Sequence, residues 1–362
     1  MNAVTAHPML LALRDPAALT GLSVAQWETL VCQARRTNLL PRVAVTLDGL
    51  GLLPQVPAPV GAHLEAARTL ARAQADAVRR EVAYIDRALA ATGVPIVLLK
   101  GAAYLLAGLP AARGRMFSDI DILVPRPALA EVEAALMLGG WASAKTTAYD
   151  QRYYRRWMHE LPPLKHVSRR TLLDVHHAIL PTTARLKPDS AKLLAASQPV
   201  VGEPRLRVLA PRDMVLHSAA HLFCNEDVGN SLRDLVDLDS LLRGFAQESG
   251  FWSGLTVRAA ELDLTRPLYY ALRYVAPILN TPVPASVLGE AEIGRPPPLL
   301  RGLMDAIFLR TLQPDRVGAA ANLASLARGS LYLRAHWLRM PPLLLACHLI
   351  TKALRREQIT AH

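Results

Sequence analysis

Two aspartates one residue apart open an apolar run in Arg113–Val124, RGRMFSDIDILV. The run DIDILV (119–124) has the β-branched character of a buried strand and is stopped by Pro125. On a strand, residues i and i+2 project from the same face. Asp119 and Asp121 therefore aim at one spot, about 6–7 Å apart at their Cα atoms. Like charges that close repel, and dry carboxylates are costly. A fold that accepts this run must supply a compensating partner, unless the strand end is solvated and the two acids are unrelated. Magnesium is a hard cation that takes oxygen ligands and bridges carboxylates to phosphates, so it answers the requirement.

A third acid strengthens the metal reading. RTLLDVHHAIL (170–180) reads as another strand, with Asp174 between Leu172, Leu173, Val175 and Ile179. Acids are seldom buried in such company without a partner. A strand carrying Asp174 beside Asp119 and Asp121 completes a three-carboxylate cage of the kind that serves two-metal phosphoryl or nucleotidyl displacement. The alternative partner for Asp174 is a core arginine.

Around these acids the chain reads in three parts. Residues 1–80 are helical, with a long amphipathic run that ends at Gly93. Residues 81–204 form a small α/β unit. VPIVLLK (94–100) is a strand and GAAYLLAG a short helix beginning at Gly101. PALAEVEAALMLGG is a helix ending at Gly139-Gly140, and WASAKT, RYYRRWMHE and RTLLDVHHAIL are strands of a mixed sheet. Residues 205–362 read helical from LAPRDMVLHSAAHLFC onward. The fold class is α+β, a small mixed-sheet core flanked by N-terminal and C-terminal helical regions.

The 362 residues are 51% hydrophobic, which indicates a folded chain with a sizeable core. The net charge of +11 favours polyanionic partners. Cys32, Cys224 and Cys347 are far apart and odd in number, so neither a disulfide framework nor a cysteine-based zinc site follows. The start MNAVTAHPMLLALRDP lacks the basic, then apolar, pattern of a signal peptide. MPPLLLACHLIT, residues 340–351, is shorter than the roughly 20 apolar residues a membrane span needs. These features predict a soluble, cytoplasmic protein. Residues 301–362 carry nine Arg and Lys against three Asp and Glu, as a solvated helix face or a tail facing a polyanion would.

LLKGAA (98–103) ends a strand in Lys100-Gly101 and starts a helix. Glycine lets backbone approach a ligand, a helix start offers free N–H groups, and Lys100 adds a point charge for phosphate. Arg115 lies four residues before Asp119 with Arg113 near it, and a guanidinium there could fork onto a triphosphate; a surface loop position is the alternative, more so for Arg113 than for Arg115.

Lys-Gly at a strand end, Arg-x-x-x-Asp-Ile-Asp-Ile-Leu-Val and a later acid-x-His strand together resemble the DNA-polymerase-β-like nucleotidyltransferase superfamily. The likeness is greatest to a bacterial group called the uncharacterised nucleotidyltransferase family. That group also has a His-x-Leu-Pro-Pro-Leu segment, here HELPPL (159–164), and an acid-x-His strand, here DVHH (174–177). Its later helical elements look like MVLHSAAHLF (214–223) and SLRDLVDLDSLL (231–242). The resemblance implies that Asp119, Asp121 and Asp174 bind Mg2+ or Mn2+, with Asp174 able to help deprotonate the attacking hydroxyl. It implies that Lys100, Gly101 and Arg115 bind NTP. It implies NMP transfer from NTP to an acceptor hydroxyl, on RNA, a protein or a small molecule. Two departures stand out. Gly101-Ala102 replaces the usual Gly-Gly or Gly-Ser, so no hydroxyl is offered there, and Asp174 stands where the group often has Glu.

Among the histidines, His176 shares a strand face with Asp174, while His177 points the other way. His176, His159 and His221 are candidates to touch the acceptor or to orient a carboxylate. His217 and His221 have the i, i+4 spacing of a zinc pair, but Ser-Ala-Ala between them lacks the metalloprotease glutamate. A helix contact from His221 to Asp234 or Asp237 is the simpler reading.

Two rivals remain at this level. A haloacid-dehalogenase-like phosphatase also uses Asp-x-Asp, but there the apolar run precedes the acids. A degenerate nucleotide- or partner-binding protein of the same fold draws support from Ala102 and is opposed by the intact acid triad. On the enzyme reading, Asp121→Asn is expected to abolish transfer while leaving folding nearly intact.

Overall fold

A computed structural model describes residues 7–225, 229–314 and 320–340, with side chains at 320–322 excepted. Cys347 and nearly all of the apolar 340–351 stretch lie outside the described residues, as does the end of the basic tail.

The chain opens with helices α1 (Pro8–Arg14), α2 (Val24–Arg36), α3 (Leu40–Gly49) and the 31-residue α4 (Ala58–Ala88). Local chemistry sets their ends. Ser23 caps α2 by accepting from Gln26 N, and the Gln26 side chain accepts from Ser23 N in return. After α4, a short 3-10 turn ends at Gly93 in the left-handed region, φ 64°.

A seven-stranded mixed sheet follows, built from β1 (Ile96–Leu99), β2 (Ile120–Leu123), β3 (Trp141–Ser143), β4 (Leu164–His166), β5 (Leu172–His176), β6 (Gln198–Val200) and β7 (Glu203–Val208). The spatial order is β3-β4-β5-β2-β1-β7-β6. β2 lies between antiparallel β1 and parallel β5, and β1 pairs in parallel with β7. Helices α5 (Lys100–Leu106), α6 (Leu129–Leu138), α7 (Ala148–Trp157) and α8 (Ser190–Ala196) connect the strands. The C-terminal part is helical: α9 (Pro211–Cys224), α10 (Ser231–Phe245), α11 (Phe251–Glu261), α12 (Thr265–Leu279), α13 (Ala285–Ala291), α14 (Pro298–Thr311) and α15 (Ala320–Arg339). One contiguous buried cluster joins Met9 and Trp27 of the N-terminal helices, Val97 and Ile122 of the sheet, and Tyr270 of α12. No helix among the described residues is long and apolar enough to cross a membrane.

The α+β class with flanking helices matches the sequence reading, and three local expectations change. RYYRRW is helical within α7, not a strand. Thr147 Oγ1 caps it by accepting from Asp150 N, and Tyr149, Tyr153 and Trp157 touch along one face at intervals of four, which suits a helix. Strand β4 escaped notice because three residues after Pro162-Pro163 carry too little pattern. Strands β6 and β7 also went unread, and β7 straddles residue 204, where the sequence placed the start of the helical region. Its alternation was visible: Leu206 and Val208 are buried, whereas Arg205 is exposed and Arg207 half-buried.

Helix α4 is fastened to the β4–β5 turn by a charge pair. Arg169 Nε and Nη2 donate to the two oxygens of buried Glu81 at 2.7 and 2.9 Å, and the guanidinium covers the Tyr84 and Trp141 rings. Removing one partner of such a pair strands a buried charge. Arg169→Ala is expected to destabilise the protein by about 3 kcal/mol in urea unfolding. A loss below about 1 kcal/mol would place this contact among ordinary surface ion pairs.

Candidate active site

Register creates the site. Asp121 of β2 pairs across to Leu99 at the end of β1 and to Asp174 on β5. Ile120 and Ile122 on one side, and Leu173 and Val175 on the other, enter the core. The alternate residues Asp121, Asp174 and His176 are thereby turned to the opposite face. Asp119 stands at the mouth of β2, where its Oδ1 accepts from Ser118 Oγ at 2.7 Å. Asp119, Asp121 and Asp174 each offer an oxygen, and the three atoms lie within 4.8 Å of one another. The sequence-predicted triad is thus brought together and lines one cleft with Lys100, Arg115 and His221.

Asp121 is the most heavily engaged of the three. Lys100 Nζ donates to its Oδ1 at 2.8 Å, and His176 Nε2 meets the same oxygen at 2.9 Å. Burial opposes ionisation of Asp121, yet Lys100 and His176 hold it well below the usual carboxylate range. Burial likewise works against charge on Lys100, and Asp121 outweighs it, so the ammonium is retained. Lys100 has a left-handed backbone, φ 46°, in the turn from β1 to α5. A side-chain-bearing residue held there is strained, a pattern common at functional sites.

Asp174 differs. Its Oδ1 is buried without a hydrogen-bond partner. Burial, then the charges of Asp121 and Glu160, push its carboxyl up to about 7. A buried, unsatisfied carboxylate oxygen facing two other carboxylates is what a hard divalent cation would satisfy, so the donor set fits magnesium or manganese.

Arg115 is held less freely than the sequence suggested. Its Nε donates to Asp237 Oδ2 on α10 at 2.7 Å, and Asp237 also receives Arg42 at 3.5 Å. Burial disfavours the Arg115 charge, but Asp237 more than restores it. Its Nη1 donates to Met116 O at 3.3 Å, so among the described residues only Nη2 of the fork is left without an acceptor. The Nη1 end of the guanidinium abuts position 101. A Cβ on Gly101 would collide with Arg115 Nη1, so any side chain there has to push the guanidinium aside. Asp237 belongs to the SLRDLVDLDSLL element, where it had been considered only as a partner for His221.

The histidines separate in the structure. His176 is buried between Asp121 and Glu160, its Nδ1 3.2 Å from Glu160 Oε2. Burial lowers its basicity, but Glu160 and Asp121 raise it further, so the net shift is upward. His159 lies on the segment after α7 rather than on a strand, and burial followed by the charge of His176 holds it neutral. His221 Nε2 lies 3.9 Å from Asp234 Oδ2 and its Nδ1 contacts Asn225 at 3.3 Å, in line with the helix-contact reading. His217 is buried and pushed down to about 3, chiefly by burial. Sequence reasoning passed over Glu160, although it sits inside HELPPL. It has no strand periodicity around it to indicate which way it faces.

A carboxyl raised in the folded state binds its proton more tightly there than in the unfolded chain. Asp174 therefore costs stability as pH climbs from the ordinary 3.8 to about 7, and the cost levels off above that. In EDTA, the melting temperature of the wild type is expected to fall across this window. Glu160, raised from 4.5, adds to the fall inside this window, and His176, raised from 6.5, only above about 6.5, so Asp174→Asn should flatten the fall without abolishing it, and magnesium should flatten it in the wild type. Parallel pH profiles for the wild type and Asp174→Asn would contradict the geometry.

The family model described as Uncharacterised nucleotidyltransferase matches residues 23–280 of the chain. No curated protein and no solved structure matches it. The matched span runs from α2 to the end of α12 and contains the carboxylate triad, Lys100-Gly101, Arg115 and Asp237. The chain belongs to the uncharacterised nucleotidyltransferase family.

Proposed function

We propose that this protein is a metal-dependent nucleotidyltransferase that moves an NMP from an NTP to an acceptor hydroxyl. The observation that carries the reading is the Asp121–Asp174 register with Asp119 beside it, three carboxylates converging within 4.8 Å on one sheet face. In the reaction the acceptor oxygen bonds to the α-phosphorus, the bond to the β-phosphate bridging oxygen breaks, and pyrophosphate leaves while the acceptor hydroxyl gives up its proton. Asp119, Asp121 and Asp174 would hold magnesium or manganese, which when bound neutralises triphosphate charge and acidifies the acceptor hydroxyl.

The remaining work falls to positioning and charge. Asp174 Oδ1, unbonded within the protein, is the oxygen placed to take up the acceptor proton or a cation. Arg115 would present Nη2 to phosphate from a position fixed by Asp237 and the Met116 carbonyl. Lys100 keeps positive charge at the strand end, and its bond to Asp121 means that it acts on phosphate while neutralising the acid, not as an independent point charge. Ala102 offers no hydroxyl, so the grip on triphosphate depends on Arg115 and Lys100 all the more.

Asp121→Asn is a poorer probe than the sequence implied, because it would leave the buried Lys100 ammonium without its carboxylate. Asp174→Asn removes no hydrogen bond at Oδ1. Incubation with each labelled NTP, magnesium or manganese, and a cell extract should label an acceptor. Asp174→Asn should lower that transfer at least about a thousandfold, about 4 kcal/mol in the barrier, with the fold retained. Full transfer by the variant would sink the mechanism. NTP binding that needs no divalent metal and yields no labelled product would favour the degenerate binding protein.

Gly101→Ala tests the phosphate side separately. The added methyl must displace the Arg115 guanidinium. NTP affinity is expected to drop about tenfold or more, an effect of about 1.4 kcal/mol. Unchanged affinity in a folded variant would remove Arg115 from the nucleotide site.

A further inference from the structure

Beside the carboxylate triad, His159, Glu160 and His176 each offer a ligand atom, and these lie within 4.8 Å of one another. The cluster is held by main chain. His177 N donates to His159 O at 2.8 Å and Leu161 N to Val175 O at 2.9 Å, strapping the HELPPL segment onto the end of β5. Pro162 and Pro163 then restrict the backbone that follows.

The imidazole bonding has the pattern of a ligand set. His176 turns Nε2 to Asp121 Oδ1 at 2.9 Å and Nδ1 to the Glu160 side at 3.2 Å. A metal-binding histidine characteristically donates its other ring N–H to a carboxylate, which fixes the tautomer and the ring plane. Here Asp121 fills that role and leaves Nδ1 as the donor atom. That Nδ1 is buried without a hydrogen-bond partner, and the buried His159 ring turns Nε2 to within 3.9 Å of Glu160 Oε2, too far for a hydrogen bond. A buried ring nitrogen left unpaired beside a carboxylate and a second imidazole calls for an occupant.

We propose that His159, Glu160 and His176 form a second metal site, selective for a borderline transition cation such as zinc. Two imidazoles and one carboxylate suit zinc, whereas the all-oxygen triad next to it suits magnesium or manganese. Three protein ligands leave a coordination position open, and all three residues line the same cleft as the carboxylates. That position is where an acceptor hydroxyl would be held. This last role rests on the nucleotidyltransferase reading; the binding of the metal does not.

Cobalt(II) serves as the visible probe for zinc. The full-length protein, stripped with EDTA and supplied with excess magnesium to fill the carboxylates, is titrated with cobalt. One equivalent should bind with an intense d–d absorption, and one equivalent of zinc should bleach it. Asp174→Asn should keep the band. His159→Ala should lose it, and Glu160→Gln, which preserves shape, should weaken cobalt binding at least about a hundredfold. Thermal melts establish that each variant is folded. No absorption beyond that of cobalt in buffer would overturn the site, and His176 would then simply bridge two carboxylates. A band lost in Asp174→Asn but kept in Glu160→Gln would overturn it too, by placing the ion on the triad. Magnesium-dependent transfer is measured on the same samples, so loss of the zinc site and loss of the transferase reading are separate results.

Discussion

The charge on Asp121 is what the rest of the site is arranged around. It sits on a central strand with neighbours on both sides and is almost wholly buried. A lone carboxylate there would be prohibitive. Lys100 reaches it from the end of β1 and His176 from the end of β5, and both bonds fall on the same oxygen, Oδ1. Neither partner takes Oδ2, so neutralisation from within the protein still leaves an acceptor facing the cleft. The strained backbone at Lys100 follows from the same need, since the chain must turn sharply from β1 into α5 while the ammonium points back at β2.

Positive charge is delivered to the cleft in a second way, from the helical side. Asp237 on α10 lies under both Arg115 and Arg42, and Arg42 also donates to the carbonyls of Pro110 and Ala111. This chain of contacts ties α3, the loop before β2 and α10 into one scaffold behind the guanidinium. Glycine at 101 is the steric counterpart: the arginine needs the space that any side chain would occupy. Preorganised cations of this kind do not have to be recruited when a polyanionic ligand arrives.

Much of the carboxylate triad could be read from the chain because strand periodicity is local. Asp119 and Asp121 share a face by spacing alone, and Asp174 stands out as an acid among Leu172, Leu173 and Val175. Their convergence needed only one strand pairing. Arg115 was harder. Its partner Asp237 is 122 residues away, and no short-range pattern announces a pairing at that distance. Glu160 and His159 lie on irregular backbone, where neither a helical nor a strand period indicates which way a side chain faces. RYYRRWMHE, residues 152–160, reads as a strand because aromatic content favours strands, whereas Tyr149, Tyr153 and Trp157 at intervals of four satisfy one another along a helix.

Strand β7 has a consequence for what can be inherited or excised as a unit. It pairs in parallel with Ile96–Leu98 of β1, and the chain enters α9 only three residues after it ends. A fragment stopped after residue 200 would keep Asp119, Asp121 and Asp174 and yet lose Asp237 and bare the apolar edge of β1, an open template for stacking with other chains. The helical region is thus preceded directly by the strand that covers β1 and carries the edge strand β6. Shuffling the sheet onto a different C-terminal partner would require the newcomer to begin with a strand of matching pattern.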